Sequence, residues 1–379
     1  MAEKPISFTR PSLTGDEIRY IAEALQSGQL AGNGTFGQRC AALLRELTGA
    51  NLALVTGSGT HALEMAFLVL GLEPGDEVIM PSFTFASTAN AVALRGGVPV
   101  FVDIREDTLN LDEEKIEAAI TPRTRALLPV HYAGVACAMD RMQAIAERHR
   151  LDIVEDAAHA IGATWQGRPL GGLGRMGAFS FHQTKNLSAG EAGALLINDP
   201  AWIDRAEIVW EKGTTRLRFG RGEIGRYEWT ELGSSYLASE LVAAMLLAQI
   251  EAMASITARR QNVWQRYHAS FEPLEQAGRL RRPVVPADCG HNAHIYYLLA
   301  EDAADRDRII RFLGERGIRA VFHYVPLHES KAGRRYGRAP APLPVTERQA
   351  ARLLRLPIYP DLDIEDTDRI VAAVAAALD

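Results

Sequence analysis

A glycine-rich turn, an aspartate and a lysine, in that order along the chain, are the residues best placed to do chemistry. Thr56-Gly57-Ser58-Gly59-Thr60 follows a short apolar run, Leu52 to Val55, and precedes a helical pattern, His61 to Leu70, that Gly71 ends. Glycines there let the backbone approach a ligand, the free N–H groups of the first helical turn point at it, and the Ser58 and Thr60 hydroxyls can add bonds. The turn is a phosphate cradle in form; a plain capped helix is the competing reading. It lacks the lysine of a Walker A loop, so a nucleoside triphosphate is not indicated. Glu155-Asp156 closes an apolar strand pattern, Ile153 to Glu155, where ligands of parallel α/β sheets sit outside the strand ends, and His159 lies three residues on. That pair can bind a metal, act as acid and base or hold a heterocycle; an N-capping aspartate beside a surface histidine is the alternative. Lys185 stands 29 residues after Asp156, in Ser180-Phe181-His182-Gln183-Thr184-Lys185-Asn186, and a lysine in a loop is ordinarily a solvated charge. Together on one α/β domain, the three features match what pyridoxal phosphate requires. The lysine forms the Schiff base, the carboxylate keeps the pyridine nitrogen protonated, and the helix N-terminus binds the phosphate.

These residues need a scaffold, and the apolar periodicity supplies one. Strands are predicted at Val78 to Met80, Pro99 to Asp103, Ala126 to Val130 and Ile153 to Glu155, with helices near 60–70, 85–95, 112–120 and 138–149. Strand, helix, strand is the βαβ signature of a mostly parallel, doubly wound sheet. Ala178 to Phe181 and Gly193 to Ile197 break that rhythm, because Gln183 to Gly190 between them is too short for a crossover helix; they read as a hairpin. Thr14 and Glu17 form a capping box for an amphipathic helix carrying Ile18, Ile21, Ala22 and Leu25 as far as Gly28. Leu241 to Ala248 is apolar on nearly every side, a helix buried in the core or between domains, and an amphipathic helix follows at Ile256 to Leu274. Beyond it the pattern is α+β: strands at Ala293 to Leu299 and near Arg319 to Tyr324, helices at 302–317, 346–355 and 363–378, and an exposed loop at Lys331 to Pro344. A large α/β domain over 1–248, with the N-terminal helix, and a small α+β domain over 249–379 follow.

Composition bounds the remaining classes. The 379 residues correspond to about two domains. A usage of 47% hydrophobic and 23% charged residues excludes disordered or fibrous chains. The net charge of −6 gives no electrostatic reason for nucleic-acid or membrane binding. Met1 to Glu17 has no apolar leader, and no apolar stretch approaches the roughly 20 residues of a membrane span, so a soluble, cytoplasmic protein is expected. Cys40, Cys137 and Cys289 have neither disulfide nor zinc spacing; no metal is expected. The G-x-G-x-x-G at Gly32, Gly34 and Gly37 follows no strand and has no acid about 20 residues on, which disfavours a nicotinamide oxidoreductase and leaves a flexible loop before a helix as the preferred reading.

Five landmarks in order, Gly59-Thr60 with Ala62-Leu63, Pro81-Ser82-Phe83-Thr84-Phe85, Glu155-Asp156-Ala157-Ala158-His159, Ser180-Phe181 with Lys185, and Pro326-Leu327-His328, make the chain closely resemble the DegT/DnrJ/StrS sugar aminotransferases over essentially its whole length. The resemblance implies the aspartate aminotransferase (type I) fold and pyridoxal 5'-phosphate as cofactor. It makes Lys185 the catalytic Schiff-base lysine, Asp156 the pyridinium partner and His159 a contact on the phenolic-oxygen side. Phe85 would stack on the ring, and Gly59, Thr60 and Ser180 would hold the phosphate. Residues 75–82, 129–137, 233–237 and 321–328 look most like the subgroup of dTDP-4-amino-4,6-dideoxygalactose transaminases, of enterobacterial common antigen synthesis. That likeness implies transfer from L-glutamate to C4 of dTDP-4-dehydro-6-deoxy-D-glucose. Many members carry Gly-x-Asn-x-Arg, whose Asn reaches the neighbouring subunit's cofactor phosphate; here Gly233-Ser234-Ser235-Tyr236-Leu237 stands instead. A homodimer with a shared active site is implied. Arg216, with Arg218, Arg221 and Arg226 in a loop-like stretch, is read either as a sugar-nucleotide contact together with Tyr324 and His328 or as a solvated charge. A different keto sugar nucleotide, or a non-catalytic regulator that keeps the cofactor, are the other readings; a dehydratase of the same family would have a histidine in place of Lys185.

Overall fold

The computed structural model describes residues 4–378. Its seven-stranded sheet contains β1 (Leu52–Thr56), β2 (Glu77–Pro81), β3 (Val98–Val102), β4 (Thr124–Leu127), β5 (Asp152–Asp156), β8 (Met176–Ser180) and β9 (Gly193–Ile197), in the order β1-β9-β8-β5-β4-β2-β3. Two-residue strands β6 (Thr164–Trp165), β7 (Arg168–Pro169) and β10 (Cys289–Gly290) form a small sheet beside it. All central pairings are parallel except those of β9, which runs against both β8 and β1. The expected hairpin therefore enters a mostly parallel sheet as its one reversed strand.

Alternation along the strands sorts side chains between two cores. Ala53, Val55, Ile79 and Ile153 pack on one face, whereas Leu54, Val78, Met80 and Val154 pack on the other. The helix Glu240–Glu251 lies in the first core, packed on the helices Asp16–Ser27 and Thr35–Thr48. Among the described residues, no single helix is long and apolar enough to cross a membrane.

The second lobe is a three-stranded antiparallel sheet, β11 (Tyr296–Leu299), β13 (Leu353–Leu356) and β12 (Val321–Phe322), with β13 in the middle and the helices Met253–Ser270, Ala303–Glu315 and Ile364–Leu378 around it. The expected division at 248/249 falls inside the helix Glu240–Glu251, and the chain breaks direction at Ala252 instead. Ile6, assigned by sequence to the large domain, is buried in the core of the second lobe and pairs with Ile318. A fourth apolar cluster, including Phe83, Tyr132, Ile295 and Tyr297, joins the lobes.

Several local expectations change. Residues 113–119 form two 3-10 turns in place of a helix at 112–120, the first capped by the Asp112 carboxylate accepting from the Glu114 amide. The helix expected at 346–355 ends at Arg352, and its last residues are β13, held between two strands. The stretch 331–344 is not a free loop: it holds the helix Lys331–Tyr336, and Arg338 pairs with the backbone of Pro99 and Phe101 at the sheet edge while its guanidinium grips buried Glu77 at 2.8 and 3.0 Å. In the first helix Ile18 is 76% exposed and Tyr20 and Ala24 face the core. Gly15 occupies the cap position, and the Glu17 carboxylate accepts from the Thr14 and Gly15 amides.

Candidate active site

β1 runs into Ser58, whose extended backbone and hydroxyl, accepting from the His61 amide at 3.1 Å, start the helix Gly59–Leu70. That hydroxyl serves the helix itself. A second helix, Ala86–Ala93, begins at the same place, and the Thr60 and Ser87 hydroxyls, 2.8 Å apart, join the two first turns. Ser180, the last residue of β8, lies so close to Gly59 that a Cβ there would be 2.7 Å from the Ser180 Cβ; only glycine leaves the amides of this turn open. Two helix N-termini, with Gly59, Thr60, Ser87 and Ser180, thus converge on one recess.

The acidic pair at the end of β5 divides between the faces of the strand. Glu155 is buried with His131 (2.9 Å) and accepts from the amides of Gly171, Leu173 and Gly174. It is a structural anchor. Asp156 faces the recess, where its carboxylate accepts from the Thr88 hydroxyl at 2.7 Å and the Ala158 amide at 3.2 Å. Burial pushes its pKa up, against the opposing pull of those donors and of Lys185. His159, also buried, has its ring centroid 4.5 Å from that of His294, and its Nδ1 is buried without a partner. Burial, with the charges of Lys185 and Arg355, holds it well below the usual histidine range and therefore neutral.

Lys185 rises from the connection between β8 and β9, half-buried because it opens on the recess. Desolvation, and to a lesser degree Arg355, lowers its pKa to about 8 although Asp156 opposes the shift. These groups line one cavity of about 430 Å³. The second lobe closes it with His294, His323, Tyr324 and Arg355. Arg355 makes no ion pair among the described residues; one Nη approaches His323 Nε2 at 3.4 Å, and its Nε is buried without a partner.

Of the residues expected from sequence, Gly59, Thr60, Phe85, Asp156, His159, Ser180, Lys185 and Tyr324 all line this cavity. Phe85 is 62% exposed at its edge. Arg216 and His328 are not brought into its wall: Arg216 is exposed, 3.7 Å from Glu211, and His328 is held by the Ser82 hydroxyl and Glu347. Ser235 is exposed, outside the wall, and bridged to Glu211. Ser87, Thr88, His294, His323 and Arg355 were not found by sequence reasoning. Only Ser87 and Thr88 carried a signal, as hydroxyls in the first turn of the helix after Phe85.

The Gly32 to Gly37 loop is also explained. The buried Glu240 carboxylate accepts from the amides of Gly34, Phe36 and Gly37 at 3.0, 2.8 and 3.0 Å, so this anion site is filled from within the chain.

With this geometry in place, comparison with known proteins identifies the family. The model of the DegT/DnrJ/EryC1/StrS aminotransferase family matches residues 11–375, and the chain belongs to that family. It is 35% identical over 377 residues to the spore coat polysaccharide biosynthesis protein SpsC of Bacillus subtilis, covering 97% of this chain and 96% of the relative. The crystal structure of the aminotransferase TlmJ from Streptoalloteichus hindustanus superimposes with a TM-score of 0.90 at 30% identity, covering 98% of each chain. Spr1654 from Streptococcus pneumoniae, in its PLP-form, does so with a TM-score of 0.90 at 27% identity over 99% of each. The architecture is the aspartate aminotransferase-like (type I) fold.

Proposed function

We propose that this aminotransferase moves the amino group of L-glutamate to C4 of dTDP-4-dehydro-6-deoxy-D-glucose, giving dTDP-4-amino-4,6-dideoxy-D-galactose and 2-oxoglutarate. The observation that carries the amino-transfer part of the reading is Lys185 in one cavity with the buried Asp156 carboxylate and the amide cradle at Gly59. The cofactor is pyridoxal 5'-phosphate, and the residues present fit it. Gly59, where a Cβ would fill the cradle, Thr60 and Ser180 suit its phosphate, and Asp156 suits a protonated ring nitrogen. Phe85 supplies a ring face, and His159, with an unpaired buried Nδ1, supplies a polar contact.

When bound, the cofactor supplies the aldehyde that takes up the amino group and the conjugated ring that accepts electrons from the donor's Cα. The chain does the rest. A lysine of unperturbed pKa 10.5 would be almost wholly protonated at pH 8, whereas one near 8 is about half neutral there. The Lys185 amine can therefore take the proton from the glutamate Cα and later return one to the sugar carbon. The Thr88 hydroxyl, the Ala158 amide and the charge of Lys185 favour the carboxylate form of Asp156 against its burial. Arg355, an unpaired cation in the cavity wall, offers a counter-charge to a carboxylate of the donor. The dTDP-sugar choice, the product epimer and the roles of Arg216, Tyr324 and His328 rest on the subgroup likeness at 75–82, 129–137, 233–237 and 321–328. A homodimer sharing its active sites, in a reducing cytoplasm compatible with three free cysteines, belongs to the same reading.

The test is spectroscopic. Protein loaded with cofactor should show a visible band that L-glutamate bleaches and dTDP-4-dehydro-6-deoxy-D-glucose restores, with the 4-amino galacto product seen by NMR. Lys185→Ala should not pass through this cycle. A loaded wild type unchanged by glutamate would sink the proposal, and restoration by a different keto sugar alone would replace the acceptor.

A further inference from the structure

We infer that Asn186 and His294 form a positioning clamp that holds the lysine connection and the His159 turn in one register across the two lobes, with His294 fixed as its Nδ1–H tautomer. The inference rests on the aminotransferase reading above.

Asn186 follows Lys185 directly and is buried. Its amide nitrogen donates to the Asn292 carbonyl at 2.8 Å, which leaves its carbonyl oxygen for His294 Nδ1, also at 2.8 Å. That oxygen can only accept, so Nδ1 must carry the proton and Nε2 the lone pair. His294 lines the cavity, and its ring packs at 37° against that of His159. The same segment grips the His159 turn from the other end: Asn292 donates to the His159 and Ile161 carbonyls at 2.8 and 2.9 Å and accepts from the His294 amide at 3.1 Å.

Nothing in 292–294 is free to drift. Ala293 between the two side chains is held at φ 53°, in the left-handed region that a residue with a Cβ adopts only under constraint. Its carbonyl and that of His294 are taken by the buried Arg260 guanidinium at 3.1 and 2.7 Å. Gly134 allows the approach, since a Cβ there would come within 2.0 Å of Asn292 Oδ1. A segment of the second lobe is thus wedged between the two turns of the first lobe that carry Lys185 and His159. Proton transfer at a substrate carbon depends on placing the amine within a fraction of an ångström, and misplacement by about 1 Å costs about 100-fold.

The experiment compares cofactor-loaded wild type with His294→Phe, which keeps a ring against His159 but loses the Nδ1 donor, and with Asn186→Leu. Expected for both are a roughly 10- to 100-fold slower glutamate half-reaction, a larger isotope effect with Cα-deuterated glutamate, and a weakened visible circular-dichroism band of the cofactor. KM values for glutamate and keto sugar should stay within about threefold, because the clamp places the base and leaves substrate binding alone. His294→Asn, which restores a donor near Nδ1, should recover most of the rate. Melting and far-ultraviolet circular dichroism establish that the variants fold; should His294→Phe not fold, Asn186→Leu and His294→Asn carry the same comparison. Unchanged rate and isotope effect, a loss confined to KM, or a His294→Asn no better than Phe would each overturn the clamp. A wild type that glutamate does not bleach would overturn the aminotransferase reading as well.

Discussion

Thr88→Val tests how strongly the Thr88 hydroxyl favours the carboxylate form of Asp156 against its burial. The hydroxyl donates to Asp156 Oδ2 at 2.7 Å and is bonded to the Thr84 hydroxyl at 2.8 Å, so the substitution removes a buried donor to a carboxylate while keeping the shape of the side chain. A hydrogen bond to a charged group contributes about 1.5–3 kcal/mol. At about 1.4 kcal/mol per pKa unit, its loss moves the Asp156 pKa up by about one to two units. The sign follows from which form is stabilised: Thr88 favours the carboxylate, so without it the proton returns at higher pH. In stopped-flow measurements of the glutamate half-reaction, the acidic limb of the pH profile should move upward by that amount. At fixed pH on that limb, the rate should fall by about 10- to 100-fold, in line with the same energy. Thr88→Ser keeps the hydroxyl and should behave like wild type. A Thr88→Val profile that superimposes on the wild type, with a rate within about twofold, would refute the argument.

Two more outcomes follow from burial and from the glycine loop. The rate at which the apoprotein takes up pyridoxal phosphate should rise with pH and level off with a midpoint of about 8, because only the neutral Lys185 amine attacks; a midpoint near the ordinary 10.5 would show that burial does not reach it. Glu240→Gln replaces a buried carboxylate that accepts three backbone N–H groups. It should cost about 1–3 kcal/mol, seen as a lower urea midpoint at unchanged slope, and an unshifted midpoint would remove the carboxylate's assigned role.

Legibility in the sequence followed the range of the interactions. The cradle at Gly59-Thr60 was readable because strand, N-cap and helix are consecutive, and the reversed strand at Gly193–Ile197 because a short connection cannot carry a crossover. Strand alternation required Glu155 and Asp156 to face opposite sides, but which side held the site depended on what packed there. Arg355 was hidden for a different reason. Local pattern extends the preceding helix through it, and only pairing with β11 and β12 turns Leu353–Leu356 into a strand that points the arginine at the cavity. The partner of the Gly32–Gly37 loop was equally out of reach, since Glu240 lies about 200 residues away.

By itself, then, the sequence determined the class of sheet, the choice of Lys185 and Asp156 as candidates that share one cavity, and the family resemblance, because each is written in neighbouring residues or in the order of short motifs. Tertiary structure decided what surrounds that chemistry. It placed Thr88 on Asp156 and brought Arg355, His323 and His294 from the second lobe against Lys185. It also left Arg216 and His328 outside the cavity of this chain. The physical reason is desolvation: a lysine becomes a base near neutral pH only where distant segments close over it and exclude water.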